Sequence, residues 1–268
     1  MSLDTLGNLY RLRLGTTGST LSDLRRGDLD KRPEEFVLVT ADHQTAGRGQ
    51  RGTSWESAPG MNLLFALGLR PETLRADEQF RLSQLTALAV ADALGLYLPA
   101  ECIAVKWPND IYVGDKKICG ILIEHDLCGT RIAATRIGIG VNVNQRTFAS
   151  DAPNPVSLRQ VSGHDTDREA LLESIVRFFI RRYRAVCNGE TDALHAEYCS
   201  RLYRRTGFHA YRDAAGPFSA RIADIGADGR LALEDADGHL RRYAFKEVAA
   251  VLPSAPARTD DKNERERI

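Results

Sequence analysis

Between two apolar runs the chain places three lysines, an aspartate and an amide. The first part reads Val105-Lys106-Trp107-Pro108-Asn109-Asp110-Ile111-Tyr112, the second Lys116-Lys117-Ile118-Cys119-Gly120-Ile121-Leu122-Ile123-Glu124. Ammonium groups beside strand ends, with Gly120 just beyond, suit an anion that must approach the backbone closely. The same residues also suit a hairpin with a solvated charged turn. A second stretch, Gln44-Thr45-Ala46-Gly47-Arg48-Gly49-Gln50-Arg51-Gly52-Thr53-Ser54-Trp55, has glycines too closely spaced for strand or helix. Such a loop lets backbone N–H groups surround a phosphate, and its two arginines argue for gripping an anion. Its letters match a dinucleotide fingerprint, but no helical pattern follows. Pro59-Gly60 leads straight to another strand, which a Rossmann unit does not do. Ser19 and Thr20 offer hydroxyls that can cap a helix running through Leu24. Cys119 lies close to Lys117, which keeps an acyl-cysteine chemistry open. Its place between Ile118 and Gly120 in an apolar run favours a buried inert thiol.

These groups need a scaffold. Strands are predicted over 36–40, 62–69, 103–105 and 118–123, the last entered through a turn at Gly114-Asp115. Residues 136–144 alternate strictly and read as another strand. Its face of Gly138, Gly140, Asn142 and Asn144 lets a flat ring or a backbone come close, and serves equally for a bend. Amphipathic helices are predicted over 79–96, 168–186 and 191–203, the last capped by Thr191 or Asp192. From Phe208 the pattern changes to short apolar runs at 218–222, 231–233 and 240–245. Asp228-Gly229 and Asp237-Gly238 separate them as hairpin turns, so a small antiparallel barrel is expected. Residues 254–267 are polar without an apolar period and read as a disordered tail.

Lys+Arg and Asp+Glu both number 36, so the formal net charge is zero and exerts no general pull toward nucleic acid or membrane. No apolar run approaches the roughly 18 residues of a membrane-spanning helix. The first ten residues lack the plan of a signal peptide. Five cysteines without a Cys-x-x-Cys pair point to reduced thiols in a cytoplasmic setting, and no zinc site is expected.

Lys106-Trp107-Pro108-Asn109-Asp110 followed by 117–124, and Gln44-x-Ala46-Gly47-Arg48-Gly49 followed by Trp55, resemble the biotin–protein ligases. The resemblance spans roughly 19–144. It implies an α+β fold: a class II synthetase-like catalytic domain over 1–204, with a mixed, mostly antiparallel sheet and flanking helices. An SH3-like C-terminal β-barrel follows over 205–253, then a tail over 254–268. It implies formation of biotinyl-5'-AMP from biotin and ATP, with Mg2+ on the phosphates. Biotin would then pass to a lysine of the biotin carboxyl carrier domain of a carboxylase. By the same resemblance Ser19, Thr20, Gln44, Gly47, Arg48, Gly49, Gln50, Lys117 and Gly120 bind the substrate, and Arg51, Trp55, Asn109 and Asn142 the ATP. Ser157-Leu158-Arg159 covers the site. Gln50 stands where many members carry an arginine.

The implied reaction brings two anions together and builds charge on phosphate oxygens. Fixed cations in a water-poor site are then the main device. Arg48 and Lys117 are the first choices and Lys106 a third. Asp110 is left open between ribose, metal and the incoming amine, and no side chain is assigned as a direct metal ligand. Only 18 residues precede Ser19, too few for a helix-turn-helix, so a monofunctional ligase without a nucleic-acid or membrane partner is expected. A homodimer is compatible with this reading, and the sequence does not choose the oligomeric state. A lipoate- or octanoate-handling enzyme of the same superfamily is the alternative; the Gly-Arg-Gly loop and the Lys-Trp-Pro-Asn-Asp run argue against it. A non-enzymatic vitamin or nucleotide sensor is a further alternative, against which Arg48 and Lys117 together argue.

Overall fold

The computed structural model describes residues 8–24, 29, 31–49, 53–71, 73–149 and 154–252. The expected tail, and Gln50 and Arg51 of the glycine loop, lie outside the described residues.

Seven strands form the main sheet: β1 (Leu9–Thr17), β2 (Phe36–Gln44), β3 (Leu63–Leu69), β4 (Ile103–Lys106), β5 (Asp110–Val113), β6 (Lys116–Cys128) and β7 (Arg131–Val141). Their order is β1-β2-β3-β7-β6-β5-β4, with β1 parallel to β2 and every other pair antiparallel. Side chains alternate across a strand, and β2 feeds two cores accordingly. Phe36 and Leu38 join one cluster, Val37 and Val39 the other. The larger core lies under the helices α2 (Phe80–Leu94), α4 (Arg168–Cys187) and α5 (Thr191–Ser200), and the smaller under α1 (Thr20–Asp23). A short α3 (Leu158–Ser162) precedes α4. Because both faces of the sheet are covered, all seven residues of β3 are buried.

Three local expectations change. The helix after Ser19 is a single turn. Ser19 occupies its N-cap position without a side-chain cap, while the amide and hydroxyl of Thr20 both donate to Gln44 Oε1, at 2.8 and 2.9 Å. The helix starting at Thr191 has Glu190 at its N-cap position and no side-chain cap, and it stops at Ser200. The next residues pair with the sheet edge instead: Val105 N–H donates to Arg201 O at 2.8 Å, and Tyr203 N–H to Val105 O at 2.9 Å. Between the strands expected at 103–105 and 118–123 lies a further one: the chain turns at 107–109, so Asp110 opens β5 and stands opposite Lys106.

The C-terminal runs form five strands rather than three: β8 (His209–Asp213), β9 (Gly216–Ile225), β10 (Leu231–Asp235), β11 (Leu240–Tyr243) and β12 (Ala249–Ala250). They pair antiparallel in the order β11-β10-β9-β8-β12, consistent with an SH3-like fold. The Asp228-Gly229 turn, with Gly229 at φ +83, seats this sheet on the first. A Cβ there would stand 2.7 Å from the Phe80 ring, and Trp107 Nε1 donates to Gly229 O at 2.9 Å.

Candidate active site

A cavity of about 500 Å³ lies between the two sheets, a size that fits a small-molecule ligand. Its floor is the facing pair Gly120 and Gly140 of β6 and β7. Added Cβ atoms at these positions would meet the Trp55 indole at 2.8 and 2.5 Å. The glycines are therefore needed, because a flat ring lies directly on the backbone. Trp55 Nε1 is buried there with no hydrogen-bond partner among the described residues.

Local folding aims the cations. Lys106 and Asp110 are partners across the β4–β5 hairpin. The turn between them is held from outside: Tyr198 OH donates to Pro108 O at 2.6 Å, and Asn109 Nδ2 donates to Ile121 O at 3.0 Å. Lys117 Nζ lies 2.8 Å from Asp110 Oδ2 and 5.8 Å from the centre of the Trp55 ring. Lys106 Nζ donates to Tyr112 OH at 3.1 Å. Arg48 Nη2 lies 3.5 Å from Glu124 Oε1, and both groups are over a third exposed, so this contact holds Arg48 weakly. Among the described residues the cavity wall carries five cationic side chains, Arg48, Lys106, Lys117, Arg204 and Lys246, against one carboxylate, Asp110. In a chain of zero formal charge, positive potential is gathered at one place.

The structure brings Ser19, Thr20, Gln44, Arg48, Gly49, Trp55, Lys106, Asn109, Asp110, Lys117 and Gly120 to this wall. Gly47 lies behind it. Its carbonyl accepts from Trp55 N–H at 3.0 Å, and a Cβ on it would stand 2.9 Å from Trp55 O, so it shapes the loop. Asn142 also lies off the wall, where Asn142 Nδ2 donates to Val156 O at 3.1 Å and the amide oxygen is buried without a partner among the described residues. Ser157 caps α3 rather than covering the cavity. Cys119 is fully buried off the wall, and burial pushes its thiol up, which removes the acyl-cysteine chemistry.

Sequence reasoning missed the wall's second half. Tyr203, Arg204, Phe245 and Lys246 come from beyond α5, and Phe245 packs edge-on against Trp107 at 5.9 Å. Arg204 and Lys246 are the two non-glycine residues at positive φ among the described residues, at +59 and +69. Such strain tends to collect at ligand sites, but neither residue sits in a sequence pattern that marks it. Among the described residues no group of three metal-ligating side chains faces the cavity.

The chain matches the model of the biotin/lipoate A/B protein ligase family over residues 17–144. It is 32% identical over 242 residues to the bifunctional ligase/repressor BirA of Bacillus spizizenii, covering 88% of this chain and 72% of that one. It is 40% identical over 148 residues to the biotin–[acetyl-CoA-carboxylase] ligase of Paracoccus denitrificans, covering 53% and 61%. Among solved structures it resembles the biotin protein ligase of Aquifex aeolicus in complex with biotin and ATP, with a TM-score of 0.74 at 22% identity over 91% and 99% of the two chains. It also resembles the Leishmania major biotin protein ligase with biotinyl-5-AMP, with a TM-score of 0.61 at 23% identity over 89% and 99%. At such identities the likeness to these structures is one of fold.

Proposed function

The chain belongs to the biotin/lipoate A/B protein ligase family, and we propose that it is the ligase that activates biotin with ATP and attaches it to a carrier protein. A carboxylate does not acylate an amine at neutral pH, because its leaving group would be hydroxide. In the first step a biotin carboxylate oxygen bonds to the α-phosphorus and the bond to the β-phosphate oxygen breaks, releasing pyrophosphate. In the second a lysine ε-amine bonds to the acyl carbon, AMP leaves, and the amine's surplus proton goes to solvent. Both steps need negative charge held on phosphate oxygens.

The observation that carries this reading is the excess of cations around the glycine floor. Lys117 and Lys106 act as point charges on the reacting phosphate, and Arg48 as a fork. Asp110, 2.8 Å from Lys117, fixes the direction of that ammonium. Ser19, Thr20 and Gln44 line the cavity and suit the ureido ring of biotin, since hydroxyls and amides both donate and accept. Trp55 offers its ring and its unpartnered N–H to the adenylate. Mg2+ fits as an ion carried on the triphosphate, because the wall offers it one carboxylate, Asp110, already paired with Lys117.

The acceptor is a lysine of a biotin carboxyl carrier domain of a carboxylase. The five free cysteines suit a reducing cytoplasm. The catalytic unit ends near residue 204 and the second sheet forms a separate small domain. A homodimer is compatible with this arrangement. Exchange of labelled pyrophosphate into ATP tests the reading. It should depend on biotin and fail with lipoate or octanoate; exchange supported by lipoate alone would assign the chain to the other branch of its family.

A further inference from the structure

Away from the cavity, where α5 meets the second sheet, three donor side chains converge. His195 and Cys199 are one turn apart on α5, so they share a side of the helix. Asp224 reaches them from β9. His195 Nε2 lies 3.5 Å from Cys199 Sγ and 4.0 Å from Asp224 Oδ1. Donor atoms of all three lie within 4.8 Å of one another. Tetrahedral bonds of about 2.0 Å to nitrogen and 2.3 Å to sulfur would put those two ligand atoms about 3.5 Å apart. The Asp224 side chain is 63% exposed and has room to close the remaining gap.

The imidazole is already oriented. Gln84 of α2, only 2% exposed, meets His195 Nδ1 at 2.8 Å, which leaves Nε2 turned to the thiol and the carboxylate. A metal on Nε2 puts the ring proton on Nδ1. Gln84 Oε1 accepts a hydrogen bond from that Nδ1–H once its amide is turned end for end.

We infer that His195, Cys199 and Asp224 form a binding site for a divalent metal of the zinc class, clipping α5 to β9. On binding, the Cys199 S–H bond breaks, its proton goes to solvent and a metal–sulfur bond forms; water fills the fourth position. The clip joins the helix that braces Pro108 to the sheet that carries Phe245 and Lys246, so it stiffens both halves of the cavity wall. No spacing along the chain marks this site, because the third ligand arrives through the docking of β9.

The test uses the full chain, stripped with a chelator and titrated with Co2+. A thiolate-to-cobalt charge-transfer band should saturate at one equivalent and be displaced by Zn2+. Cys199→Ser should lose the band, and Gln84→Met should weaken binding by about 10- to 100-fold at unchanged stoichiometry. Asp224→Asn alters an exposed side chain and keeps the fold; it should weaken binding at least about tenfold and abolish the rise in thermal midpoint that Zn2+ gives the wild type. No band at one equivalent, a band that survives Cys199→Ser, or unchanged affinity in Asp224→Asn overturns the site.

Discussion

At the residue scale, the chemistry of the cavity depends on what its glycines leave out. Gly140 has no side chain because the Trp55 indole occupies that space, 2.5 Å from where a Cβ would stand. Gly140→Ala should fold, yet push the indole off its floor at about 1–3 kcal/mol of overpacking. We expect ATP to bind about tenfold more weakly, which corresponds to about 1.4 kcal/mol. Both tryptophans of the chain line the cavity, so ATP affinity is read by titration calorimetry rather than by quenching. Unaltered ATP affinity in Gly140→Ala would remove the indole from the nucleotide site. His125 gives a residue-scale test of stability. Burial lowers it to about 4, and its Nδ1 meets Thr135 Oγ1 at 2.9 Å. The unfolded chain takes up a proton near pH 6.5 that the fold refuses until about pH 4. Stability is therefore fully present above pH 6.5 and falls as the pH drops toward 4, by up to about 3 kcal/mol. His125→Gln should flatten that part of the urea-midpoint profile; an identical slope would show that His125 is not its source. Most of the cavity's first contacts were legible in sequence, because Lys106, Asp110 and Lys117 are local partners in two short hairpins. Asn142 and Gly47 lie off the cavity wall; sequence gives their strand or loop but not which way each faces.

At the scale of elements, the cavity stands on a helical layer held by charge as well as by apolar packing. Asp92 of α2 is bound by Arg182 of α4 at 2.6 Å and by Arg201, just past α5, at 2.8 Å, with a side chain only 12% exposed. Glu197 meets the same two arginines at 2.7 and 2.6 Å. Asp92→Asn leaves the largely buried Arg182 guanidinium, and the partly exposed one of Arg201, with less compensation and should lower stability by about 1–3 kcal/mol, read as a shift in urea midpoint with unchanged slope. A shift below about 0.5 kcal/mol would mean that Glu197 alone suffices. The long helices were legible because their apolar residues recur every three or four positions, and α2 and α4 agree with their expected spans within two residues at each end. β1 and β8 were not. Most of their side chains stay at least partly exposed, so neither strand shows a buried run, and their partners supply what the local pattern lacks. β12 is two residues long and exists only through pairing with β8.

At the scale of the whole molecule, the cavity belongs to neither sheet alone. The Asp228-Gly229 turn sits against Phe80 and Trp107, and this contact brings Phe245 and Lys246 to the cavity that Lys117 also lines. Gly229→Val adds a branched side chain where φ is +83 and where the Phe80 ring leaves no space. It should loosen the second sheet and raise KM for ATP several-fold, while β1 to β7 keep their hydrogen-exchange protection. Uniform loss of protection would instead mean that the two sheets unfold as one unit. No sequence pattern foretold this shared wall, since residues 107 and 229 meet only through docking. On the proposed function, cations gathered at the mouth of β4, β5 and β6 drive adenylation of biotin. A single-turnover experiment with the full chain, biotin and α-labelled ATP, run beside Lys117→Ala, tests it most directly. Biotinyl-5'-AMP should form at one equivalent per chain in the wild type, and its rate of formation should fall by about 10²-fold in the variant. Absence of the adenylate in the wild type, or equal rates in the two proteins, would contradict it.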